Sequence, residues 1–355
     1  MQPRPFASAR LLTSSLLARG LAVSLVSAGL AAAPITANAD ATTFSGDAYV
    51  AKATVNVPVL GPTTVGPIAE SQLPSQGGSD ENSILTVSLP NAIDNSTLLT
   101  AEVGHTAAIG QGDRSHSEAS VAAVNLTVAS HTVSADFLMA RAMAVCGPSV
   151  SGSSDLANLV VDGTPITVSG KPNQTISLNP IGSVIIDEQQ SSVGANSGSI
   201  DVNALHVIVS GIADVVIAHA HADITCNGSP NCSGSDFLTG GGWITAPDGA
   251  RGTFAVAGGW KNGAWWGHLL YIDHGNGMKV HGTGVTYYGP GNSGPTSREI
   301  DGKDDLPDSP GYKVDTADNG EPGHGSDNFY IDLLNGYTAG GLLQGGNIQL
   351  HKPCQ

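Results

Sequence analysis

Short runs rich in β-branched residues recur between turn signals along most of the chain, and this punctuation restricts it to sheets. In the first two thirds such runs occupy 83–89, 119–129, 132–145, 156–161, 164–168, 175–178, 183–186, 205–209 and 214–225. Short strands at this regular spacing predict a β-sandwich. Asp162 and Gly163 fall between two of the runs and supply the positive φ angles of a tight hairpin turn. Residues 136–144, with their Leu, Met and Ala content, also suit a short helix, although their neighbours are β-rich. Further on, 252–257, 268–273, 278–288, 329–333 and 347–350 read as strands, with Gly275, Asn276 and Gly277 as a hairpin connection. The chain carries 46 glycines and only 12% charged residues, a composition of strands and turns rather than of disorder. The expected class is therefore all-β.

Composition changes near residue 230. All four tryptophans and six of the seven tyrosines follow that point, whereas 40–226 is rich in Val, Ile, Ala, Ser and Thr. Two cores of different chemistry are expected: a β-sandwich-like domain over 40–226 and a smaller antiparallel domain, rich in glycine and aromatics, over 232–355.

The first 39 residues have the form of a secretory signal peptide. Arg4, Arg10 and Arg19 precede an apolar run over 21–33, and Ala37-Asn38-Ala39 supplies a cleavage pattern. Ser24, Ser27 and Gly29 interrupt the run, which falls short of the roughly 20 apolar residues of a bilayer span. Export, cleavage near Ala39 and a mature chain without a transmembrane segment are the expectations. The formal charge of −16 becomes more negative once the leader arginines are removed, and such a surface repels nucleic acid.

In an exported chain, Cys146, Cys226, Cys232 and Cys354 suggest two disulfides. Cys146 with Cys226 and Cys232 with Cys354 is the preferred pairing, because the second bridge would close a long loop, for about 3–5 kcal/mol on the chain-entropy model. A short Cys226–Cys232 loop is the alternative. The spacing matches no usual zinc pattern.

Several constellations carry possible chemistry. His219, His221 and Asp223 alternate with alanines and so share one face of a strand. Two imidazoles and a carboxylate suit zinc and can open a metallohydrolase site, against the plainer reading of a solvated strand face. His268, Tyr271, Asp273, His274 and His281 flank the predicted hairpin, where a His-Asp pair is conceivable, but no nucleophile motif accompanies them. Asp315, Asp318, Asn319, Glu321 and Asp327 lie among glycines, and oxygen-rich loops of this kind suit calcium, without the spacing of an EF-hand. No motif demands a cofactor, and calcium is the candidate. Trp260, Trp265 and Trp266 surround Lys261, Asn262 and Gly263, a loop suited to offering aromatic faces to a sugar ring or a partner protein, with core packing as the alternative.

Four segments of the first unit carry a family resemblance: SADFLMARAMAVC over 134–146, ANLVVDGTPITV over 157–168, SIDVNALH over 199–206 and VVIAHAHADITC over 215–226. Together they resemble the bacterial choice-of-anchor P family. FLTGGGW over 237–243, GHLLYIDHGNGMKVH over 267–281, DNGEPG over 318–323 and GGNIQLHK over 345–352 look like the domain that commonly follows it. The resemblance implies a secreted or envelope-displayed protein whose relatives carry varied C-terminal anchoring signals, and it implies no catalytic residues. Only Pro353, Cys354 and Gln355 follow Lys352, so release into the medium is expected over covalent attachment. The function expected from all of this is structural, adhesive or ligand-binding and non-enzymatic, with a surface glycan or protein as partner. The alternative is a secreted metal-dependent hydrolase built on the HAHAD segment.

Overall fold

The computed structural model describes residues 42–353 except 92, 94–95, 229–233 and 309–310. The leader, Cys232 and Cys354 lie outside the described residues. The protein is all-β, as its turn-punctuated sequence predicts. In chain order the strands are β1 (Thr43–Val57), β2 (Gly61–Ile68) and β3 (Ser71–Gln72), followed by β4 (Gly78–Pro90), β5 (Thr97–Gln111), β6 (Arg114–Val128) and β7 (His131–Val145). Next come β8 (Ser149–Ala157), β9 (Val160–Val161), β10 (Thr164–Pro165), β11 (Gln174–Leu178), β12 (Gly182–Val193), β13 (Ser197–Val209) and β14 (Ala213–Thr225). The last third contributes β15 (Phe237–Thr245), β16 (Arg251–Lys261), β17 (Ala264–Asp273), β18 (Met278–Pro290) and β19 (Ser297–Asp304). It ends with β20 (Tyr312–Ala317), β21 (Asn328–Leu333), β22 (Thr338–Leu342) and β23 (Gly345–His351).

Three antiparallel sheets result. A front sheet runs β11-β12-β13-β14-β1-β2 with β3 on β1; a middle sheet runs β10-β9-β7-β6-β5-β4 with β8 on β7. The back sheet has nine strands, β22-β21-β20-β19-β18-β17-β16-β15-β23. Front and middle sheets pack face to face over a core that includes Val50, Leu99, Leu126, Leu138, Val202 and Ile217. The back sheet curls around its own core, where Phe254 stacks on Phe329 with ring centroids 3.8 Å apart. Its other face covers the outer face of the middle sheet through smaller apolar groups, among them Val103 with Leu270 and Ile272, and Phe137 with Trp243.

Being covered on both faces, the middle sheet explains the helix-like stretch at 136–144. These residues are extended within β7, with Leu138, Ala140 and Ala142 in the front core and Phe137 and Met139 on the opposite face. A strand buried on both sides has no polar face, and its continuous apolar run loses the alternation that marks a strand. The approach of the two sheets is close enough that a Cβ at Gly241 would clash with Ser120, so the middle glycine of the β15 run serves sheet packing.

Both predicted hairpins form. Asp162 and Gly163 adopt φ of 48° and 75°, the signs a two-residue type I′ turn requires. Gly277, at φ 75°, donates its N–H to the Asp273 carbonyl and closes the β17–β18 turn. Cys146 and Cys226 are joined by a disulfide that ties the end of β7 to the end of β14, and this displaces the short Cys226–Cys232 loop. Among the described residues no helix is long and apolar enough to cross a membrane.

Candidate functional site

The hairpin between β16 and β17 turns on Asn262 and Gly263, both with positive φ, and its register pairs Trp260 with Trp265 and Gly259 with Trp266. Paired residues share a face, so Trp260 and Trp265 meet edge to face at 4.4 Å. Trp266 lies beside Phe237 at 5.5 Å, with the Lys261 ammonium 5.9 Å from its ring centre. Trp260 remains 45% exposed and Trp265 37%, large values for the least polar positions of the loop. Trp260 and Trp266 form one wall of a cleft of about 480 Å³ whose other walls are Phe44, Phe237, Gln76 and Gln111. All three sheets contribute: Phe44 comes from β1, Gln111 from β5 and the indoles from the back sheet. Aromatic planes beside two carboxamides and an ammonium match what a polar ring with apolar faces requires. Trp265 stands outside the cleft wall, tilted against Tyr287 at 6.0 Å.

His219, His221 and Asp223 do share the outer face of β14, between β13 and β1. The Nδ1 of each imidazole already has a partner. His219 Nδ1 is 2.6 Å from Asn203 Oδ1 and its ring stacks on Tyr49 at 4.5 Å; His221 Nδ1 is 2.9 Å from Asp201 Oδ1. Burial pushes His219 down to about 4, whereas the hydrogen bond that His221 donates to Asp201 raises His221.

The residues around the β17–β18 hairpin are divided by strand alternation. Tyr271 faces the core of the back sheet, and its hydroxyl is linked through that of Tyr337, at 2.8 Å, to Asp273. His268 and His274 project to the other face, where His274 Nε2 lies 3.0 Å from Thr253 Oγ1. His281 is half-exposed beside Asp305.

In the acidic loops the side-chain oxygens accept mostly from backbone. Asp327 takes N–H groups of Asn319, Gly320 and Ile348, Asp318 that of Leu350, and Asp315 that of Asn292 together with the Ser297 hydroxyl. Asn319 Oδ1 accepts from Thr296, and Glu321 accepts from Asn347 Nδ2. Burial pushes Asp327 up to about 6 against its three backbone donors, helped by the charges of Asp318 and Glu321.

A group of ionisable residues that no motif marks lies between the middle and back sheets. β6 reads Ser-His-Ser-Glu-Ala-Ser over 115–120, and the period of two sends His116, Glu118 and Ser120 backward while Ser115 bonds Ser45 in front. Glu118 is fully buried. Thr239 of β15 donates to its Oε1 at 2.9 Å, and His105 and His116 approach its two oxygens at 3.5 and 3.4 Å. Burial opposes its ionised form, but the neighbouring imidazoles outweigh this and hold Glu118 well below the usual carboxylate range. His351 shares the Thr239 hydroxyl at 2.9 Å and stacks on Phe237; burial drives it down to about 3, so it is neutral. On neighbouring strands, Glu81 Oε2 lies 2.5 Å from His268 Nδ1, and the His268 ring is 5.2 Å from that of His105. The available sequence signal was a strand polar on both faces, with His105 and His116 placed across the Gly112 hairpin.

No protein-family model matches the chain, and no curated protein or solved structure matches it.

Proposed function

We propose that this chain is an exported, non-enzymatic binding protein that holds a glycan of the cell surface or its surroundings against Trp260 and Trp266. The aromatic cleft carries the reading. Its walls are contributed by strands far apart in sequence, its volume falls in the range of small-ligand sites, and its polar groups are carboxamides, hydroxyls and an ammonium. A partly exposed indole, that of Trp260, in an amide-lined cleft favours stacking on a sugar ring over covalent chemistry. The arginine-bearing leader and the resemblance to choice-of-anchor P proteins support an extracellular, structural or adhesive setting.

A glycan array probed with the mature chain tests the proposal. Binding to a defined set of glycans, lost in Trp260→Ala, is the expected result. Trp266 is more enclosed, so its variant is compared only after circular dichroism shows a native fold. An array without hits, or hits that persist in a folded Trp260→Ala, Trp266→Ala double variant, overturns the proposal.

A further inference from the structure

We propose that Glu81, His105 and His268 bind a divalent transition-metal cation of the zinc class that fastens the back sheet to the middle sheet. Glu81 and His105 sit on adjacent strands of the middle sheet, β4 and β5, and His268 comes across from β17. One ligand atom from each lies within 4.8 Å of the others, and among the described residues this is the group of three or more metal-ligating side chains that converges. Two imidazoles with one carboxylate are a common ligand set for zinc.

The second observation concerns an unpartnered nitrogen. His105 is fully buried; its Nε2 has only the Glu118 carboxylate, at 3.5 Å, and its Nδ1 has no hydrogen-bond partner. Buried polar atoms are nearly always satisfied, so a buried imidazole nitrogen left without a partner beside a carboxylate points to a missing electrophile. A tetrahedral zinc with bonds of about 2.0–2.1 Å sets its ligand atoms about 3.3 Å apart, so Glu81 and His268 would part slightly while His105 closes in, within reach of side-chain rotation. Glu118, 3.5 Å from His105 Nε2, stands where a carboxylate commonly backs a metal-bound imidazole. None of the three ligands lines the aromatic cleft, so the site is independent of the glycan proposal.

His268 Nδ1 and Glu81 Oε2 lie 2.5 Å apart, and the cation would sit between them as a ligand-to-metal contact replaces their direct one. The untagged mature chain, stripped with chelator and shown to be folded by circular dichroism, is titrated with zinc by calorimetry. We expect one equivalent of zinc, and weakening of more than about 100-fold in Glu81→Gln and His268→Gln, beyond the roughly 10–100-fold seen for residues that only support a ligand. His221→Ala, on the front sheet, should bind like the parent. A folded parent that takes up no zinc overturns the proposal. Binding that survives both Glu81→Gln and His268→Gln, or that is lost in His221→Ala instead, also overturns it.

Discussion

Thr239 of the back sheet donates its hydroxyl to Glu118 of the middle sheet at 2.9 Å, and both side chains are fully buried. Because that proton is given to Glu118, the His351 nitrogen 2.9 Å from the same oxygen must be the donor of its own hydrogen bond. One hydroxyl therefore satisfies a buried carboxylate and fixes the tautomer of a buried imidazole. Thr239→Val keeps the shape and removes both bonds. It should destabilise the chain by about 2–3 kcal/mol in denaturant unfolding, since an unsatisfied buried group costs its desolvation. A loss below about 0.5 kcal/mol would mean that the polar layer contributes nothing to the sheet contact.

His351 makes stability depend on pH with a predictable sign. Its folded-state value, near 3, lies below the ordinary 6.5, so between these limits the unfolded chain binds the extra proton. Stability from this group is present above pH 6.5 and is lost as pH falls toward 3. Asp327, raised to about 6, acts in the opposite sense, gaining stability as pH falls, so the comparison must be made within one variant pair. His351→Gln should reduce the loss between pH 7.5 and pH 5 by about 2 kcal/mol relative to the parent. Parallel pH profiles for the two proteins would contradict this.

The Cys146–Cys226 bridge closes a loop of 80 residues and joins middle to front sheet. On the chain-entropy model its removal costs about 4 kcal/mol. The Cys146→Ala, Cys226→Ala pair should therefore melt far below the parent under non-reducing conditions, and dithiothreitol should lower the parent's midpoint by more than the variant's.

Strands with one open face were legible and strands covered twice were not. β14 shows His219, His221 and Asp223 outward between buried alanines, a clean alternation. β5 is buried along most of its length on both faces, and its Thr-Ala-Glu-Val-Gly-His-Thr run has no period of two to read. β1 does alternate in burial, but Gly46, Ala48 and Ala53 stand among Phe44, Val50 and Val55 on its inner face, and such small residues hardly register as hydrophobic. The same double cover concealed Glu118 and His105, which look like surface residues until the back sheet is placed over them. Trp260 and Trp266 were visible as a loop motif. Their opposing wall was not, because Phe44 and Gln111 arrive from distant strands through tertiary packing.

The glycan-binding account is tested most directly by following tryptophan fluorescence while the mature chain is titrated with the strongest glycan from the array. It predicts a saturable change that disappears in Trp260→Ala and survives in Trp265→Ala, whose side chain stands outside the cleft wall. Equal loss in both folded variants, or a titration in which neither substitution alters the response, would contradict it.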